Sequence, residues 1–168
     1  MKVSEVIRTK RAVRQFTDEP LPEEAIRSIL NAGRRAQSSK NTQPWHFIAI
    51  RDRQTLRQLS QCGAYAGHLA GASFAVALIA SIPDSFDLGQ AAAYLQLTAW
   101  ELGIGSCIAS MWESEKAKAI LSVPHDQHFD VAISFGYPLP GREQSQTPKP
   151  NGRKPFDEVV FWEGWGYE

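Results

Sequence analysis

Two spacings of apolar residues alternate along this chain, and they predict alternating helices and strands. Apolar side chains recur every three or four residues in five stretches, the spacing of a helix face that packs on a core. These predicted helices are 3–10, 22–37, a short stretch capped by Asp52, 88–102, and a stretch that carries Ala117, Ile120 and Leu121. Four β-rich apolar runs, at 45–50, 73–81, 104–109 and 128–135, are predicted to be strands.

Two of the strands differ in their pattern, which predicts different positions in the sheet. The run SFAVALIAS at 73–81 does not alternate, as is typical of a central strand buried on both faces. The run at 128–135 alternates, which predicts one buried face. The helix at 88–102 is apolar almost all round, so it should lie in the core or against another subunit.

Residues that start or end helices set several boundaries. Pro22 opens the second helix, and one of Asp84, Ser85 and Asp87 is expected to cap the fourth. Gly103 suits the left-handed position after that helix. Ser110 and Glu113 form a capping-box pattern, which predicts that the last helix opens there.

Composition limits the broad class of the protein. With 168 residues the chain fits one domain, 1–168, in which the polar, proline-bearing 142–168 forms a C-terminal arm whose aromatic end should dock on its own domain or on a partner. The 18 basic and 18 acidic side chains cancel, so neither nucleic acid nor a membrane surface is an expected partner. The longest apolar run is too short to span a bilayer, and the charged start MKVSEVIRTK is unlike a signal peptide, so we expect a cytoplasmic protein with reduced cysteines.

Common catalytic signatures do not occur in the sequence. There is no P-loop or nucleophile elbow, and GIGSC lacks the third glycine of a dinucleotide fingerprint. His125 and His128 are three residues apart, but they lie in a turn without further ligands nearby, so no metal site is predicted.

Two polar segments carry the candidate chemistry, and each has an ordinary structural explanation. The elbow SSKNTQPW offers Ser38, Ser39, Asn41 and Gln43 before Pro44, which suits a flat heteroaromatic ligand but equally a helix-to-strand turn. The cluster Lys10, Arg11 and Arg14 in KRAVRQF suits an anion but equally a solvated helix end.

The segments RTKRAVRQF, SSKNTQPW, ELGIGSC and GRKP, in that order, resemble the nitroreductase family of flavin mononucleotide (FMN) enzymes. The resemblance spans nearly the whole chain. It implies an α+β fold with a central, mainly antiparallel sheet flanked by helices, and an intertwined homodimer with FMN at the subunit interface. The implied activity is an FMN-dependent oxidoreductase that moves a hydride from NADH or NADPH, by a ping-pong scheme, to a small oxidant such as a nitroaromatic or quinone.

The resemblance also implies roles for individual residues. Lys10, Arg11 and Arg153 would bind the phosphate, and Arg14 would place its charge at the pyrimidine edge of the flavin. Ser38, Ser39 and Asn41 would reach the ring from the other subunit, with Gln43 and Pro44 in the same wall. The strip containing Ile108, Ser110 and Met111 would face the ring, with a backbone N–H near Ser110 directed at the reactive nitrogen.

This chain departs from the family pattern in ways that keep other functions open. Lys10 and Ala12 stand where arginine and serine are frequent, and Gln37 stands where proline is frequent. The chain also lacks an insertion that helps to cover the substrate pocket in many members. A flavin-binding or interaction protein with little turnover is therefore the alternative, followed by a small α+β module without a cofactor.

Overall fold

A four-stranded sheet forms the centre of the computed structural model, which describes residues 1–83, 85–141 and 152–165. The helices are α1 (Val3–Thr9), α2 (Glu23–Gly33), α3 (Arg53–Leu59), α4 (Ser85–Glu101) and α5 (Ser114–Leu121), and the strands are β1 (Trp45–Ile50), β2 (Phe74–Ala80), β3 (Gly105–Ser110) and β4 (His128–Gly136). Short 3-10 turns occupy Ser39–Asn41, Gly67–Gly71 and Phe156–Glu158.

The strands lie in the order β1-β2-β4-β3, and every neighbouring pair is antiparallel. One face of the sheet is covered by α2 and α4, and the other by α3, α5 and the turn at Gly67–Gly71. The predicted α+β fold with an antiparallel sheet flanked by helices is therefore confirmed. The prediction that 73–81 is a central strand is also confirmed, because every residue of β2 is buried.

Several local predictions agree with the structure. The Asp52 carboxylate accepts a hydrogen bond from the backbone N–H of Thr55 at 2.7 Å, which caps α3 as expected. Gly103 has a φ of 75° after α4, the left-handed conformation predicted for it.

Three boundary predictions were wrong. The capping box at Ser110 does not form, because Ser110 still pairs with Val131 in the sheet, and α5 opens only at Ser114. The fourth helix begins at Ser85 rather than Leu88, so Asp87 lies within its first turn; the candidate cap Asp84 lies outside the described residues. The second helix ends at Gly33, before the expected Gln37.

The alternation in β4 also gave a wrong prediction of its burial. The strand is buried on both faces from Ala132 onwards, since it lies between β2 and β3 with helices above and below. The small side chains of Ala132 and Ser134 face the α3 side and are buried there. In the sequence they alternate with larger apolar residues, which gave the wrong impression that this face is exposed to solvent.

The segment after α1 is pressed against β3, which fixes the position of the basic cluster. The backbone N–H of Val13 donates to the Ser106 carbonyl at 3.0 Å, and Ala12 forms a bridge with Ser106. A Cβ at Gly105 would lie 2.7 Å from the Cβ of Val13, so only glycine allows this close approach. The basic residues on either side of Val13 are therefore held beside the outer edge of β3.

Candidate functional site

The basic cluster carries positive charge that no described acidic side chain neutralises. Among the residues that the structure describes, Lys10, Arg11 and Arg14 form no ion pair. Lys10 is half-buried, and this burial lowers the pKa of its ammonium group. Cys107 opposes the shift, and the positive charge of Arg14 adds to it. Arg14 is exposed beside it. An anion bound here would meet the ammonium group of Lys10, which burial has already stripped of part of its water. Pairing with this group therefore costs less desolvation than pairing with a fully exposed lysine.

Arg11 has a local role as well. Its guanidinium donates to the carbonyls of Arg8 and Lys10 at 2.9 Å each, so it caps the C-terminal end of α1. This contact is the helix-end role that the sequence left open for the cluster. Because Arg11 is exposed and a guanidinium has five N–H donors, the capping leaves donors for a ligand.

The outer edge of β3 leaves backbone groups without partners in the sheet. In an antiparallel pair, alternate residues direct their N–H and C=O groups away from the neighbouring strand. Met111 donates to Asp130 and therefore points inward, whereas the Ser106 carbonyl points outward to Val13. By the same alternation, Ile108 and Ser110 point outward, and no residue in the described ranges accepts from the Ser110 N–H. The Ser110 N–H is thus a backbone donor at the outer edge of β3, the same edge along which the segment after α1 lies.

The side chains of this strip point in different directions. Met111 is buried in the α3-side core, so its backbone N–H and its side chain are both used within the fold. Ile108 faces the α4 side, is 45% exposed, and borders an apolar cavity of about 310 Å³. The other walls of this cavity come from the ends of β2, α4 and β4, and they include Leu78, Leu88, His128 and Val131.

Hydrogen bonds hold the elbow in a defined turn. The Ser38 hydroxyl accepts from the Gln43 N–H at 2.9 Å, and the buried Asp87 carboxylate accepts from the Ser39 N–H at 2.9 Å. Lys40, Asn41 and Gln43 have φ values of 50°, 56° and 48°, a conformation that L-residues seldom adopt. The side chains of Ser39, Asn41 and Gln43 remain exposed, while Pro44 is buried.

A single chain does not bring the two polar segments together. The elbow leads directly into β1, whereas the basic cluster lies beside β3, at the opposite edge of the sheet. Three strand spacings separate these edges, which is about 14 Å. The prediction that the elbow reaches the cofactor from another subunit is compatible with this separation, and it stays a prediction.

Arg153 lies in the described part of the arm and is exposed. No hydrogen bond or ion pair between the described residues joins it to the basic cluster, so its predicted phosphate role stays untested. Phe161, Trp162 and Trp165 are also exposed, while Tyr167 and residues 142–151 of the arm lie outside the described ranges.

The model of the Nitroreductase family matches residues 7–73 and 80–137, more than half of the chain. The chain belongs to this family. The match includes the basic cluster, the elbow and the free edge of β3, and it confirms the resemblance found in the sequence. Within the described residues, no helix has the length and apolar character needed to cross a membrane, and no three potential metal ligands cluster.

Individual nitroreductase-family proteins match over most of their length. A protein of Archaeoglobus fulgidus named as an NADH dehydrogenase/NAD(P)H nitroreductase is 33% identical, covering 79% of this chain and 83% of its own. A protein of the same name from Methanothermobacter thermautotrophicus is 31% identical, covering 98% of this chain and 88% of its own. The solved structure of an FMN-dependent nitroreductase from Clostridium difficile superposes with a TM-score of 0.81 at 28% identity, covering 95% of this chain and 98% of that one.

Sequence reasoning did not single out His68, a buried histidine whose pKa the fold shifts. The residue lies on the turn Gly67–Gly71 and is 8% exposed. Its Nδ1 is 2.7 Å from the Ser134 hydroxyl. Burial and then the charge of Arg14 lower the pKa of His68 to about 4, while the Ile108 carbonyl acts in the opposite direction. Only the fold places His68 here, since GAYAGHLAG has no periodic pattern that assigns its side chains to a face.

The lowered pKa of His68 predicts a pH-dependent contribution to stability. An unfolded histidine titrates near 6.5, so between about pH 6.5 and 4 the unfolded chain binds a proton that the folded chain does not. We expect the free energy of unfolding, measured without added ligand, to fall over this window by up to about 3 kcal/mol because of His68. The variant His68→Gln should lack this component, and parallel pH curves for the two proteins would contradict it.

Proposed function

We propose that this nitroreductase-family protein moves a hydride from NADH or NADPH, through FMN held between two subunits, to a small oxidant such as a nitroaromatic or quinone. The general class, an FMN-dependent NAD(P)H oxidoreductase, follows from membership of the family and from relatives named as NAD(P)H nitroreductases. The oxidant, the ping-pong order and the homodimer are proposals, as is a cytoplasmic location.

The observation that carries the proposal is the pairing of unneutralised charge with unused backbone donors at one sheet edge. Lys10, Arg11 and Arg14 supply cations with no acidic partner among the described residues. The Ser110 N–H points away from the sheet at the edge along which the segment after α1 lies. A ligand with an anionic group and a flat polar ring uses both features. The residues present therefore fit FMN.

Bound FMN would supply the hydride chemistry, and the residues of this chain would hold and polarise it. Lys10 and Arg11, with Arg153, are proposed to bind the phosphate. Arg14 is proposed to stabilise the negative charge that develops on the pyrimidine side of the ring, because a preorganised charge there needs no rearrangement during reaction. The Ser110 N–H is proposed as a donor to the central part of the ring.

Two features support completion of the site by a second subunit. The elbow lies at the wrong edge of the sheet to reach the ring site of its own chain, so Ser38, Ser39 and Asn41 would come from the partner. In addition, α4 buries only one face in its own chain. Its other face, at Phe86, Ala93, Tyr94 and Leu97, is exposed or half-buried, and such an apolar surface is typical of an interface.

The dimer can be tested by placing a charge on the outer face of α4. Ala93 is exposed, so Ala93→Glu should leave the single chain folded but place a carboxylate in the proposed interface. We expect sedimentation velocity to show a dimer for the wild type and for the control Ala93→Ser, and monomer for Ala93→Glu. An unchanged sedimentation coefficient in Ala93→Glu would place the interface elsewhere.

The phosphate role of Lys10 can be separated from the role of the ring. Lys10→Ala should raise the dissociation constant for FMN by roughly tenfold, as expected for the loss of one charge-assisted contact. Riboflavin has the same ring but no phosphate, so its affinity should change by less than about twofold. An equal loss of affinity for FMN and for riboflavin in Lys10→Ala would contradict the phosphate role of Lys10.

Turnover separates the proposed enzyme from a flavin carrier. Steady-state oxidation of NADH or NADPH with a quinone or a nitroaromatic acceptor should give parallel lines in double-reciprocal plots, as expected for a ping-pong scheme. A protein that binds FMN tightly but shows no turnover with either donor would instead be a flavin-binding protein.

A further inference from the structure

The elbow is fastened to α4 at its ends and in its middle. Ala36, just before the elbow, and Trp45, its last residue, are buried in a small apolar cluster with Ala91 of α4. Between these anchors, the buried Asp87 carboxylate accepts a hydrogen bond from the backbone N–H of Ser39 at 2.9 Å. One helix therefore holds the whole elbow, although 48 residues of sequence separate Ser39 from Asp87.

The backbone of the elbow has a shape that needs such support. Lys40, Asn41 and Gln43 have φ values of 50°, 56° and 48°. Asparagine tolerates this left-handed region, but lysine and glutamine rarely adopt it. Such conformations persist where the surrounding structure holds them, and they cluster at ligand-binding sites. Here they directly follow the N–H that Asp87 accepts from.

The elbow directs polar side chains outward while its backbone is held from within. The side chains of Ser39, Asn41 and Gln43 are exposed, whereas Asp87 is 3% exposed. Its second carboxylate oxygen accepts from the side-chain amide of Gln90 at 3.3 Å, so the carboxylate has a fixed orientation in the first turns of α4. A buried carboxylate is costly unless it makes such hydrogen bonds. The one to Ser39 is the bond that fixes the elbow.

The helix that carries Asp87 is also the helix proposed to meet the second subunit. Phe86 and Tyr94 belong to its outer face and are exposed. Because α4 runs without interruption from Ser85 to Glu101, it forms a rigid connection between the elbow and the proposed interface. The position of the elbow relative to the partner is therefore set within a single element.

We propose that Asp87 is a positioning residue, which holds the elbow of one subunit in the shape that meets flavin bound at the β3 edge of the other. This inference rests on the proposed function, in which Ser38, Ser39 and Asn41 reach the ring from the partner. An elbow that is already ordered before the ligand arrives does not lose conformational freedom on binding, which is the general benefit of preorganisation. Asp87 acts through the elbow and does not touch the ring.

Flavin titrations of three variants test this role. Asp87→Ala should raise the dissociation constants for FMN and for riboflavin by the same factor, roughly five- to tenfold, because the elbow meets the ring that both share. Asp87→Asn keeps an oxygen that accepts from the Ser39 N–H, so both constants should stay within about twofold of the wild type. The matched control is Asp52→Ala, which also removes a carboxylate that accepts from a backbone N–H, at 2.7 Å, but at the start of α3. It should lower the melting temperature without changing the affinity for either flavin.

Mixed dimers test whether the elbow acts across the interface. Subunits with Lys10→Ala and subunits with Asp87→Ala, carrying different affinity tags, are combined and the mixed dimers purified. If Asp87 serves the partner's site, one site of each mixed dimer carries both changes and the other carries neither, so half of the sites should bind FMN as tightly as the wild type. If Asp87 serves its own chain's site, every site carries one change, and the absence of any site of wild-type affinity would overturn the proposal.

Hydrogen exchange in the wild type guards against a variant that fails to fold. In the apoprotein, the Ser39 amide should exchange at least about tenfold more slowly than in the unfolded chain, because its bond to Asp87 exists before flavin binds. An unprotected Ser39 amide, or unchanged flavin affinity in folded Asp87→Ala, would overturn the role of Asp87 and leave the proposed function standing. A wild-type protein that binds neither flavin would overturn both.

Discussion

Replacing Gly63 by alanine is expected to destabilise the protein strongly and to disturb the end of β3. A Cβ at this position would lie 2.1 Å from the Ser110 carbonyl oxygen, and a backbone atom in a sheet cannot move away easily. Overpacking of this kind costs roughly 1–3 kcal/mol or more. For a chain of this size, that corresponds to a fall in melting temperature of about 3–10 °C. Because Ser110 would be displaced, FMN binding should weaken as well.

Gly67 provides the matched control in the same segment. A Cβ at Gly67 would meet nothing within 4 Å, so Gly67→Ala should leave the melting temperature within about 1–2 °C of the wild type. Differential scanning calorimetry of the two variants decides the matter. Equal stability of Gly63→Ala and Gly67→Ala would mean that the 63–67 segment does not pack on Ser110 as the structure has it.

Arg14→Ala is expected to slow the chemical step more than it weakens cofactor binding. Arg14 makes no ion pair or hydrogen bond among the described residues, so its removal should not disturb the fold. Loss of a preorganised charge opposite a developing negative charge typically costs a factor of about 10²–10³ in rate. FMN affinity should fall much less, since Lys10 and Arg11 remain at the proposed phosphate site.

Stopped-flow measurement of flavin reduction by NADH and NADPH, beside a titration of FMN binding, separates these two effects. Arg14→Lys retains a charge without the planar guanidinium, and it should recover part of the rate. If Arg14→Ala lowers the reduction rate and the FMN affinity by the same factor, the role of Arg14 is merely structural. A normal reduction rate would exclude the electrostatic role.

The fold was largely predictable because the most continuous apolar stretches of the sequence are the elements buried most completely in the core. The run at 73–81 has no polar interruption, and it is the buried central strand β2. Asp52 and Gly103 act locally through a cap and a left-handed turn, so their roles are visible in a few residues of sequence. Local chemistry and tertiary structure agree at these positions.

Predictions failed where a distant contact overrides a local pattern. Ser110 and Glu113 match a capping box, but pairing with Val131 keeps Ser110 in the sheet. The carboxylate of Asp87, one of three candidate caps for α4, accepts from the backbone N–H of Ser39, 48 residues away. Neither partner can be identified from the residues near these positions.

The candidate site was only partly predictable for the same reason. The basic cluster and the elbow were recognisable as segments, but their separation across the sheet follows from the strand order, which the apolar pattern does not contain. His68 was not singled out because its hydrogen-bonding partner, Ser134, lies 66 residues further along the chain. The unpaired N–H of Ser110 is likewise a property of an edge strand rather than of its sequence.

This chain is proposed to bind FMN and to pass a hydride through it, and an absorption spectrum tests both steps at once. The protein purified without added cofactor, or reconstituted with FMN, should show flavin bands, and these bands should bleach after anaerobic addition of NADH or NADPH. The donor that bleaches them faster is the preferred one. A protein that stays colourless after incubation with FMN, or whose flavin bands persist with both donors, would contradict the account.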